Sequence, residues 1–382
     1  MKTVGIICEY NPFHLGHAKQ LRLIREQFGG DCAVVCLMSG NYVQRGFPAI
    51  VDKSLRAQAA LSCGADLVLE LPLTNVLSSA EGFAAGGVDI LSRICDTLCF
   101  GTESGTKQSL TDTASVLLSP EFKTALMSRL EAGLSFPAAR EAAVRDIGGD
   151  ATLLSDPNNI LGVEYCKAIL SSGAALDIFP VIRMGSYHAL APDQENPSAT
   201  AIRRRMETGQ PWESYVPDDA AQILRPGTLH TVQAGERAIL GKLRTMTDEE
   251  FEELPFGSEG LWRKFMHACR EKATLDEILQ ATKSKRYTRT RLDRMVMCAF
   301  LGITREMMGS EIPYVRILGF RERGREVLNR VKHTAFFRNA GEAVDDPYWE
   351  LERRAGDLYG LFAVDHPEFP GTEERRRVIY LK

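Results

Sequence analysis

The chain has 382 residues and a formal net charge of −4, and 44% of its residues are hydrophobic and 25% charged. This composition is typical of a globular enzyme of about two domains, and the net charge argues against a surface coated throughout for nucleic-acid binding. The N-terminus lacks the pattern of a signal peptide and no apolar run is long enough to span a membrane, so we expect a cytoplasmic protein without a membrane partner.

Strand and helix patterns alternate through the first hundred residues. Apolar runs of strand length occur at residues 4–8, 33–38, 66–70 and 97–100. Helical patterns separate them, at residues 18–28, around 53–62 and at 78–94. This βα order predicts a parallel sheet with right-handed crossovers, and therefore an α/β, Rossmann-like first domain.

The pattern changes after the fourth strand. Residues 107–147 and 158–170 have helical patterns, residues 178–184 suggest a late strand that rejoins the sheet, and residues 200–207 suggest a short helix. Beyond Pro211 the strand pattern stops and mostly helical patterns follow. We therefore predict a first domain at residues 1–210 and a mostly helical C-terminal domain at residues 211–382.

The nine cysteines form no CxxC pair. Cys32, Cys36, Cys95 and Cys99 lie in apolar, strand-like runs, where small buried thiols are common. We interpret them as core residues. A zinc site is the weaker alternative, because the spacings are not those of structural zinc ligands, and we assign no metal ligand.

Two histidines lie directly after the first apolar run. His14 and His17 belong to the segment Glu9-Tyr10-Asn11-Pro12-Phe13-His14-Leu15-Gly16-His17, which is typical of a loop between a strand and a helix. Nucleotides bind at such places in open α/β sheets, and the first N–H groups of the helix suit a phosphate. Both histidines could donate hydrogen bonds to phosphate oxygens. Alternatively, one is a helix cap and the other a surface residue.

Further polar segments follow strands or begin helices. Asn41, Gln44 and Arg45, in a loop that begins with Ser39 and Gly40 after the second strand, offer planar donors for a carboxylate, base or phosphate. Gly101 after the fourth strand permits close approach of a ligand, and Glu103 is a hydroxyl acceptor or a helix-start charge. Plain loop or capping roles remain the alternatives. Two similar helix starts carry Asn158 and Asn159, and Ser198, Thr200 and Arg203.

Basic residues concentrate late in this acidic chain. Residues 283–294 contain six basic residues against one acid, with a tyrosine available for stacking on a base. Two interpretations fit this pattern about equally well: a patch that binds phosphate backbones, and a solvated helix face. The candidate residues for nucleic-acid binding are Lys283, Lys285, Arg286, Tyr287, Arg289, Arg291 and Arg294.

The histidine segment has the pattern of the HxGH nucleotidyltransferase superfamily. Together with the other segments, the chain resembles the bacterial tRNA(Met) cytidine acetate ligase family over nearly its whole length. The resemblance rests on residues 9–17, on Ser39-Gly40-Asn41-Tyr42-Val43-Gln44-Arg45-Gly46 and Pro157-Asn158-Asn159-Ile160-Leu161-Gly162, on Ser198-Ala199-Thr200-Ala201-Ile202-Arg203, and on Ser258-Glu259-Gly260-Leu261 and Lys285-Arg286-Tyr287-Thr288-Arg289-Thr290-Arg291-Leu292.

The resemblance implies an enzyme that joins acetate to ATP as acetyl-adenylate and passes the acetyl group to N4 of the wobble cytidine in elongator tRNA(Met). It implies His14 and His17 as catalytic residues that stabilise charge on the phosphates as pyrophosphate leaves. It implies an ATP site formed by Ile7, Cys8, Glu9, Tyr10, Asn11, Pro12, Phe13, His14, Leu15, Gly16, His17, Ala18, Lys19, Gln20, Gly101, Asn158 or Asn159, and Arg183. The wider superfamily adds Ser198, Thr200 and Arg203 at the polyphosphate.

The same resemblance implies the remaining partners. Residues 39–45 would form a substrate loop, and the basic run would hold the tRNA. Magnesium is expected with ATP, held mostly by the phosphates without a dedicated protein cage. No protein partner is inferred. Two alternatives stay open: an adenylyltransferase acting on a small phosphorylated cofactor precursor, and a nucleotide-dependent RNA-binding factor without catalysis.

Overall fold

The computed structural model describes residues 1–183, 197–331 and 335–382. The strands are β1 (Thr3–Cys8), β2 (Ala33–Ser39), β3 (Tyr42–Val43), β4 (Phe47–Pro48), β5 (Leu67–Leu71), β6 (Thr97–Thr102), β7 (Asp177–Ile182), β8 (Val315–Phe320), β9 (Phe337–Asn339) and β10 (Ile379–Tyr380). The helices up to residue 210 are α1 (Leu15–Phe28), α2 (Lys53–Ser62), α3 (Leu73–Val76), α4 (Ala80–Ser92), α5 (Lys107–Leu118), α6 (Pro120–Glu131), α7 (Phe136–Asp146), α8 (Pro157–Ser172) and α9 (Ala199–Glu207).

Helices dominate the remainder of the chain. They are α10 (Asp218–Leu224), α11 (Val232–Thr245), α12 (Asp248–Glu252), α13 (Leu261–Glu271), α14 (Leu275–Thr282), α15 (Arg289–Leu301), α16 (Arg305–Met308), α17 (Glu322–Val331), α18 (Pro347–Tyr359) and α19 (Thr372–Arg375). Short 3₁₀ turns lie at Thr152–Leu154, Glu213–Tyr215 and Gly360–Phe362.

The main sheet has the strand order β10-β8-β5-β2-β1-β6-β7, with β9 beside β8. β1 lies in the interior of the sheet, parallel to β2 on one side and to β6 on the other. The chain runs outward from β1 through β2 to β5 and then returns to pair β6 with β1. The connections therefore change direction at β1, and the crevice at its carboxyl end is where open α/β sheets bind ligands.

The predicted α/β fold with its parallel-dominated sheet is confirmed. The four early predicted strands correspond to β1, β2, β5 and β6, and the late one corresponds to β7. The predicted end of that strand, Met184, lies outside the described residues. The long helical stretch after β6 is divided into α5, α6 and α7, because Ser119 ends one helix and caps the next ahead of Pro120.

The expectation that strands end at Pro211 was wrong, because β8, β9 and β10 return to the main sheet. β8 pairs antiparallel with β5, and its Arg316 lies opposite Glu70. An arginine within a short apolar run weakens the strand pattern, and here its charge is neutralised inside the protein. The division of the chain near residue 210 stays a prediction, and the part beyond it shares the sheet of the first part.

A buried ionic cluster fixes β8 and α19 against β5 and α2. The Arg316 guanidinium lies 3.0 Å from Glu70, 3.1 Å from Glu352 and 2.6 Å from Glu373. The Lys53 ammonium lies 2.6 Å from Glu70 and 2.9 Å from Glu373, and all five side chains are almost inaccessible to water. Removing one partner of such a group leaves a buried charge uncompensated, which costs about 3–5 kcal/mol.

Hydrophobic cores cover both faces of the sheet and continue into the C-terminal helices. Ile7 and Val35 pack on one face with residues of α4, α5 and α8, whereas Ile6 and Cys36 pack on the other with residues of α1 and α2. This alternation follows from the period of two in a strand. A third core joins α11, α13, α14, α15 and α18, and it includes Tyr42 of β3.

Candidate functional site

The loop after β1 leads into α1 through a capping box made of two histidines. His14 is the N-cap residue, and its Nδ1 accepts a hydrogen bond from the backbone N–H of Gly16 at 3.1 Å. The backbone N–H of His14 in turn donates to Nδ1 of His17 at 3.2 Å. The two rings stack with their centroids 3.6 Å apart. Because a neutral imidazole carries its proton on the nitrogen that does not accept, both rings present Nε2–H as a donor.

Burial keeps both imidazoles neutral. It lowers the pKa of His14 to about 3, with further contributions from the positive charges of Arg183 and Arg203. The pKa of His17 is lowered well below its ordinary value by burial, by His14 and by Arg183. These causes place two guanidinium groups near a pair of neutral N–H donors. Such a combination suits a polyphosphate, which gains charge neutralisation and directed hydrogen bonds together.

Aromatic side chains hold the second histidine in place. The ring of His17 lies 4.8 Å from that of Tyr10 and 5.5 Å from that of Phe13, measured between centroids. Tyr10 and Phe13 are buried, as are Ile7 and Cys8. The predicted ATP segment at residues 7–20 therefore offers a ligand few of its side chains. Gln20 instead donates to Sγ of Cys99 in β6, and Lys19 is exposed.

The end of β6 and the start of α8 form one hydrogen-bonded unit. The Asn159 side chain is fully buried, and its Oδ1 accepts the backbone N–H groups of Glu103 at 3.0 Å and Ser104 at 3.2 Å. The Glu103 carboxylate accepts the backbone N–H of Asn158 at 3.2 Å and of Asn159 at 2.8 Å. The N-terminus of α8 is thus occupied by a carboxylate of the protein, and Asn159 shapes the loop from within.

Asn158 differs from its neighbour because it is only half-buried and contacts Arg183. Its Oδ1 accepts a hydrogen bond from the Arg183 guanidinium at 3.3 Å. A Cβ atom on Gly101 would lie 2.6 Å from the Arg183 side chain, so the glycine makes room for the arginine. The structure therefore brings Gly101, Asn158 and Arg183 together, and it favours Asn158 over Asn159 as the asparagine that can reach a ligand.

The start of α9 is attached to the loop after β1. The Arg203 guanidinium donates to the backbone carbonyl of Asn11 at 2.7 Å and to Oγ1 of Thr200 at 3.1 Å. Ser198 is the N-cap residue and is buried. The hydroxyls and the guanidinium predicted at this helix start therefore lie beside the histidine loop, as the superfamily pattern implies.

The loop after β2 also reaches the histidine loop, but most of its polar groups hold the fold. The Glu9 carboxylate accepts the backbone N–H of Gln44 at 2.7 Å, which joins the two loops. Ser39 is fully buried, and Glu70 packs where a Cβ of Gly40 would be. Arg45 is half-buried. Of the predicted substrate loop, Gln44 and Arg45 are the members that are half-buried, and they follow the part of the loop that holds the fold.

Asn41 holds the start of α2. Its Oδ1 accepts the backbone N–H of Lys53 at 2.8 Å, and its Nδ2 donates to Asp52 at 3.2 Å. Asp52 is also paired with Arg376 at 2.9 Å. Burial alone would raise the pKa of Asp52, but the Arg376 charge lowers it below its ordinary value. Asn41 is thereby connected to the C-terminal segment of the chain.

Sequence analysis missed Arg56, which ties the ends of β1 and β2 together. Its guanidinium is fully buried and donates to the backbone carbonyls of Glu9, Ser39 and Gly40. The signal available in the sequence was an arginine on the face of α2 that otherwise carries small apolar residues. The buried ionic cluster around Arg316 was missed as well, because its members are far apart along the chain.

The basic run lies apart from the histidines, between α14 and α15 and along the first turns of α15. Arg291 donates to the backbone carbonyl of Phe256 at 2.6 Å, and Arg294 lies over the Phe256 ring, where burial lowers its pKa to about 10. Tyr287 is half-buried, and Arg289 pairs with Asp276 and Asp293. Lys283, Lys285 and Arg286 are exposed, and Arg286 pairs with Glu259.

Over residues 1–183, 197–331 and 335–382, no group of three or more histidine, cysteine or acidic residues could hold a metal ion. No helix in these ranges has both the length and the apolar character needed to cross a membrane. All nine cysteines are thiols, and all except Cys63 are buried.

Comparison with protein families places this site in a known class. Residues 1–372 match the family described as HIGH Nucleotidyl Transferase, so the fold and the histidine pair define a nucleotidyl transferase. Proteins named tRNA(Met) cytidine acetate ligase are similar over the full length. The one from Acetivibrio thermocellus is 34% identical over 420 aligned positions that cover 100% of both chains. The one from Caldanaerobacter subterraneus is 35% identical and covers 97% of this chain and 98% of the relative.

Solved structures agree with these relatives. The apo crystal structure of Thermotoga maritima TmcAL is 30% identical, covers 100% of both chains and superposes with a TM-score of 0.90. The structure of the same protein bound with alpha-thio ATP is 29% identical and has a TM-score of 0.87. The chain belongs to the tRNA(Met) cytidine acetate ligase family.

The depressed pKa of His14 predicts a specific loss of stability in mild acid. The pKa is about 3 in the folded protein and about 6.5 in an unfolded chain. The unfolded chain therefore binds more protons between these values, and stability present above pH 6.5 is lost as the pH falls through this window. His14→Asn keeps an N-cap acceptor but does not titrate.

We therefore expect the free energy of unfolding of the unmodified chain to fall relative to that of His14→Asn, by up to about 1.4 kcal/mol per pH unit below about pH 6. Urea unfolding of both proteins at about pH 7.5 and about pH 5 measures the difference. An identical difference at the two pH values would show that the pKa of His14 is the same in the folded and unfolded states.

Proposed function

We propose that this chain activates acetate with ATP as acetyl-adenylate and transfers the acetyl group to N4 of the wobble cytidine of elongator tRNA(Met). The observation that carries the proposal is the stacked pair of neutral histidines at the carboxyl end of β1, with His14 buried, His17 half-buried and Arg183 and Arg203 close by. Its full-length relatives carry the name of this activity, and a structure of one relative has bound an ATP analogue.

In the first step, a carboxylate oxygen of acetate attacks the α-phosphorus of ATP and the bond to the leaving pyrophosphate breaks. Negative charge accumulates on the bridging and terminal oxygens of the pyrophosphate. The Nε2–H groups of His14 and His17 and the guanidiniums of Arg183 and Arg203 are suited to stabilise it, and their fixed positions reduce reorganisation during the reaction. This chemistry requires no protein nucleophile.

We assign the nucleotide to the backbone of residues 7–20, with Gly101, Asn158 and Arg183 on the β6 side and Ser198, Thr200 and Arg203 on the α9 side. Gln44 and Arg45 are assigned to the acetate side of the site, because their loop joins the histidine loop through Glu9. Magnesium would enter with ATP and be held by its phosphates, since the described residues supply no acidic cage.

In the second step, the N4 amine of cytidine attacks the acetyl carbonyl of acetyl-adenylate. A C–N bond forms, the C–O bond to AMP breaks, AMP leaves and N4 loses a proton. The wobble base lies in the single-stranded anticodon loop, where proteins can reach unstacked bases. We assign tRNA binding to Lys283, Lys285 and Arg286, with Arg289 beside them, and we place the activity in the cytoplasm, where tRNA is available.

The histidines are tested with variants that preserve the capping box. His14→Asn retains an N-cap acceptor, and His17→Gln retains the residue type usual at the third position of such a box, yet both lose the imidazole Nε2–H. We expect acetate-dependent ATP–pyrophosphate exchange to fall by about 10²–10³-fold in each variant, as when one charge-stabilising donor is removed. Affinity for tRNA should stay within about twofold, because tRNA binding depends on phosphate contacts elsewhere.

The unmodified chain provides the reference for this experiment. It should exchange pyrophosphate only with acetate present, and mass analysis of the nucleosides should show N4-acetylcytidine after tRNA(Met) is added. Exchange without acetate, or only with a small phosphorylated compound, would support an adenylyltransferase instead. Loss of both exchange and tRNA binding in the variants would indicate that the histidines are structural.

The basic surface is tested by charge reversal at two exposed lysines. In the double variant with Lys283→Glu and Lys285→Glu, the affinity for tRNA should fall. A plot of the logarithm of the association constant against the logarithm of the salt concentration should also become shallower, by about one unit of slope or more. Acetate-dependent exchange should be unaffected, because the patch lies apart from the histidines. Lys123→Glu, at an exposed position on α6, is the control. Equal salt slopes for all three proteins would assign tRNA binding to another surface.

A further inference from the structure

A cleft of about 310 Å³ lies between α9, the β3–β4 hairpin and the helices α11, α14 and α15. Its lining residues come from distant parts of the chain, and the sequence singled out only Arg203 and Arg289 among them as site residues. Its volume is at the lower end of the roughly 300–1,000 Å³ found for small-ligand sites. The cleft therefore has room for one flat ring and its attached sugar and is too small for a paired stem.

Two residues that line the cleft are also hydrogen-bonded to the loop after β1. Arg203 lines the cleft and at the same time donates to the carbonyl of Asn11 at 2.7 Å. Ile50 lines it as well, and its backbone N–H donates to Oδ1 of Asn11 at 2.8 Å. The charge of Arg203 also lowers the pKa of His14. A group that enters the cleft from outside therefore comes to the edge of the histidine loop.

The other end of the cleft lies at the basic run. Arg289 and Asp293 line it from the first turns of α15, where they pair with each other at 2.9 Å. Gly46 of the hairpin packs on the same turns, since a Cβ at this position would lie 2.4 Å from the backbone nitrogen of Arg294. The lining of the cleft therefore includes Arg289 of the basic run and Arg203, which is bonded to the histidine loop.

The lining of the cleft suits a nucleobase that carries an amino group. Val296, Met297 and Leu279 give it an apolar wall. Phe47 and Arg203 give it a second wall of planar groups, with the guanidinium carbon of Arg203 over the Phe47 ring and 5.5 Å from the ring centroid. Bases stack on aromatic rings and guanidinium planes. Glu207 adds a carboxylate, the usual acceptor for the amino group of cytosine, and partial burial raises its pKa.

We propose that this cleft admits the acceptor nucleotide, an unpaired residue with an exocyclic amine, while the surrounding tRNA phosphates rest on the basic run. The proposal rests on the proposed function, because it assumes that the amine attacks an acyl-adenylate beside the histidines. It assigns a new role to residues of the C-terminal part of the chain: α11, α14 and α15 form one wall of the second half-reaction's site.

The test is to obstruct the cleft from its α11 wall. Gln233, the second residue of α11, lines the cleft and is exposed, and Ala234 beside it is exposed and lies outside the lining. Gln233→Trp inserts a large side chain into the cleft, and Ala234→Trp, the matched control, places the same side chain next to it. Three quantities are measured for each: acetate-dependent exchange, tRNA affinity, and the single-turnover rate of acetyl transfer from preformed acetyl-adenylate.

For Gln233→Trp we expect acetyl transfer to fall at least about tenfold more than exchange does, because small misplacements of a reacting group have large effects on rate. Ala234→Trp should transfer within about twofold of the unmodified chain, as expected for a surface change. Transfer at the unmodified rate in Gln233→Trp, or an equal loss of transfer and exchange, would overturn the proposal. Absence of acetate-dependent exchange in the unmodified chain would instead overturn the proposed function on which it rests.

Discussion

The two backbone hydrogen bonds that end on Nδ1 of His14 and Nδ1 of His17 constrain the rest of the site. They cap α1, stack the two rings and leave the proton of each neutral imidazole on Nε2. Burial keeps both rings neutral, so the positive charge beside them comes from Arg183 and Arg203. One local motif thereby sets the start of the helix, the direction of the donors and the need for guanidiniums from other elements.

The loops after β1 and β2 are held by interactions between distant parts of the chain. Arg56 ties the carbonyl ends of β1 and β2, and the pairing of Asp52 with Arg376 holds α2 and Asn41 against the C-terminal segment. The hydroxyl of Tyr42 donates to the carbonyl of Ala355, which anchors the β3–β4 hairpin in the helical core. The C-terminal part therefore supports the loop after β2 and the start of α2, and it also carries the basic run. It reaches these elements because the chain returns to the main sheet through β8.

The parts of the structure that follow from local patterns could be predicted from the sequence. β1, β2, β5 and β6 are predominantly apolar runs, and the histidine turn follows the first of them. β8 could not be predicted, since its Arg316 suits a buried strand only when three carboxylates from other elements surround it. The roles of Asn158 and Asn159 were equally inaccessible, because adjacent identical side chains differ only in their tertiary contacts. The cleft could not be predicted either, because its lining residues are far apart along the chain.

The role of His14 and His17 as neutral donors is tested most directly by their tautomeric state, measured by ¹⁵N NMR of the imidazole nitrogens at about pH 7. The variants His14→Asn and His17→Gln assign the two signals among the seven histidines of the chain. Because Nδ1 of each ring accepts a backbone hydrogen bond, we expect both rings to be neutral and to carry their proton on Nε2. A proton on Nδ1 of either ring, or an imidazolium at this pH, would contradict the assignment of these histidines as neutral donors to the leaving pyrophosphate.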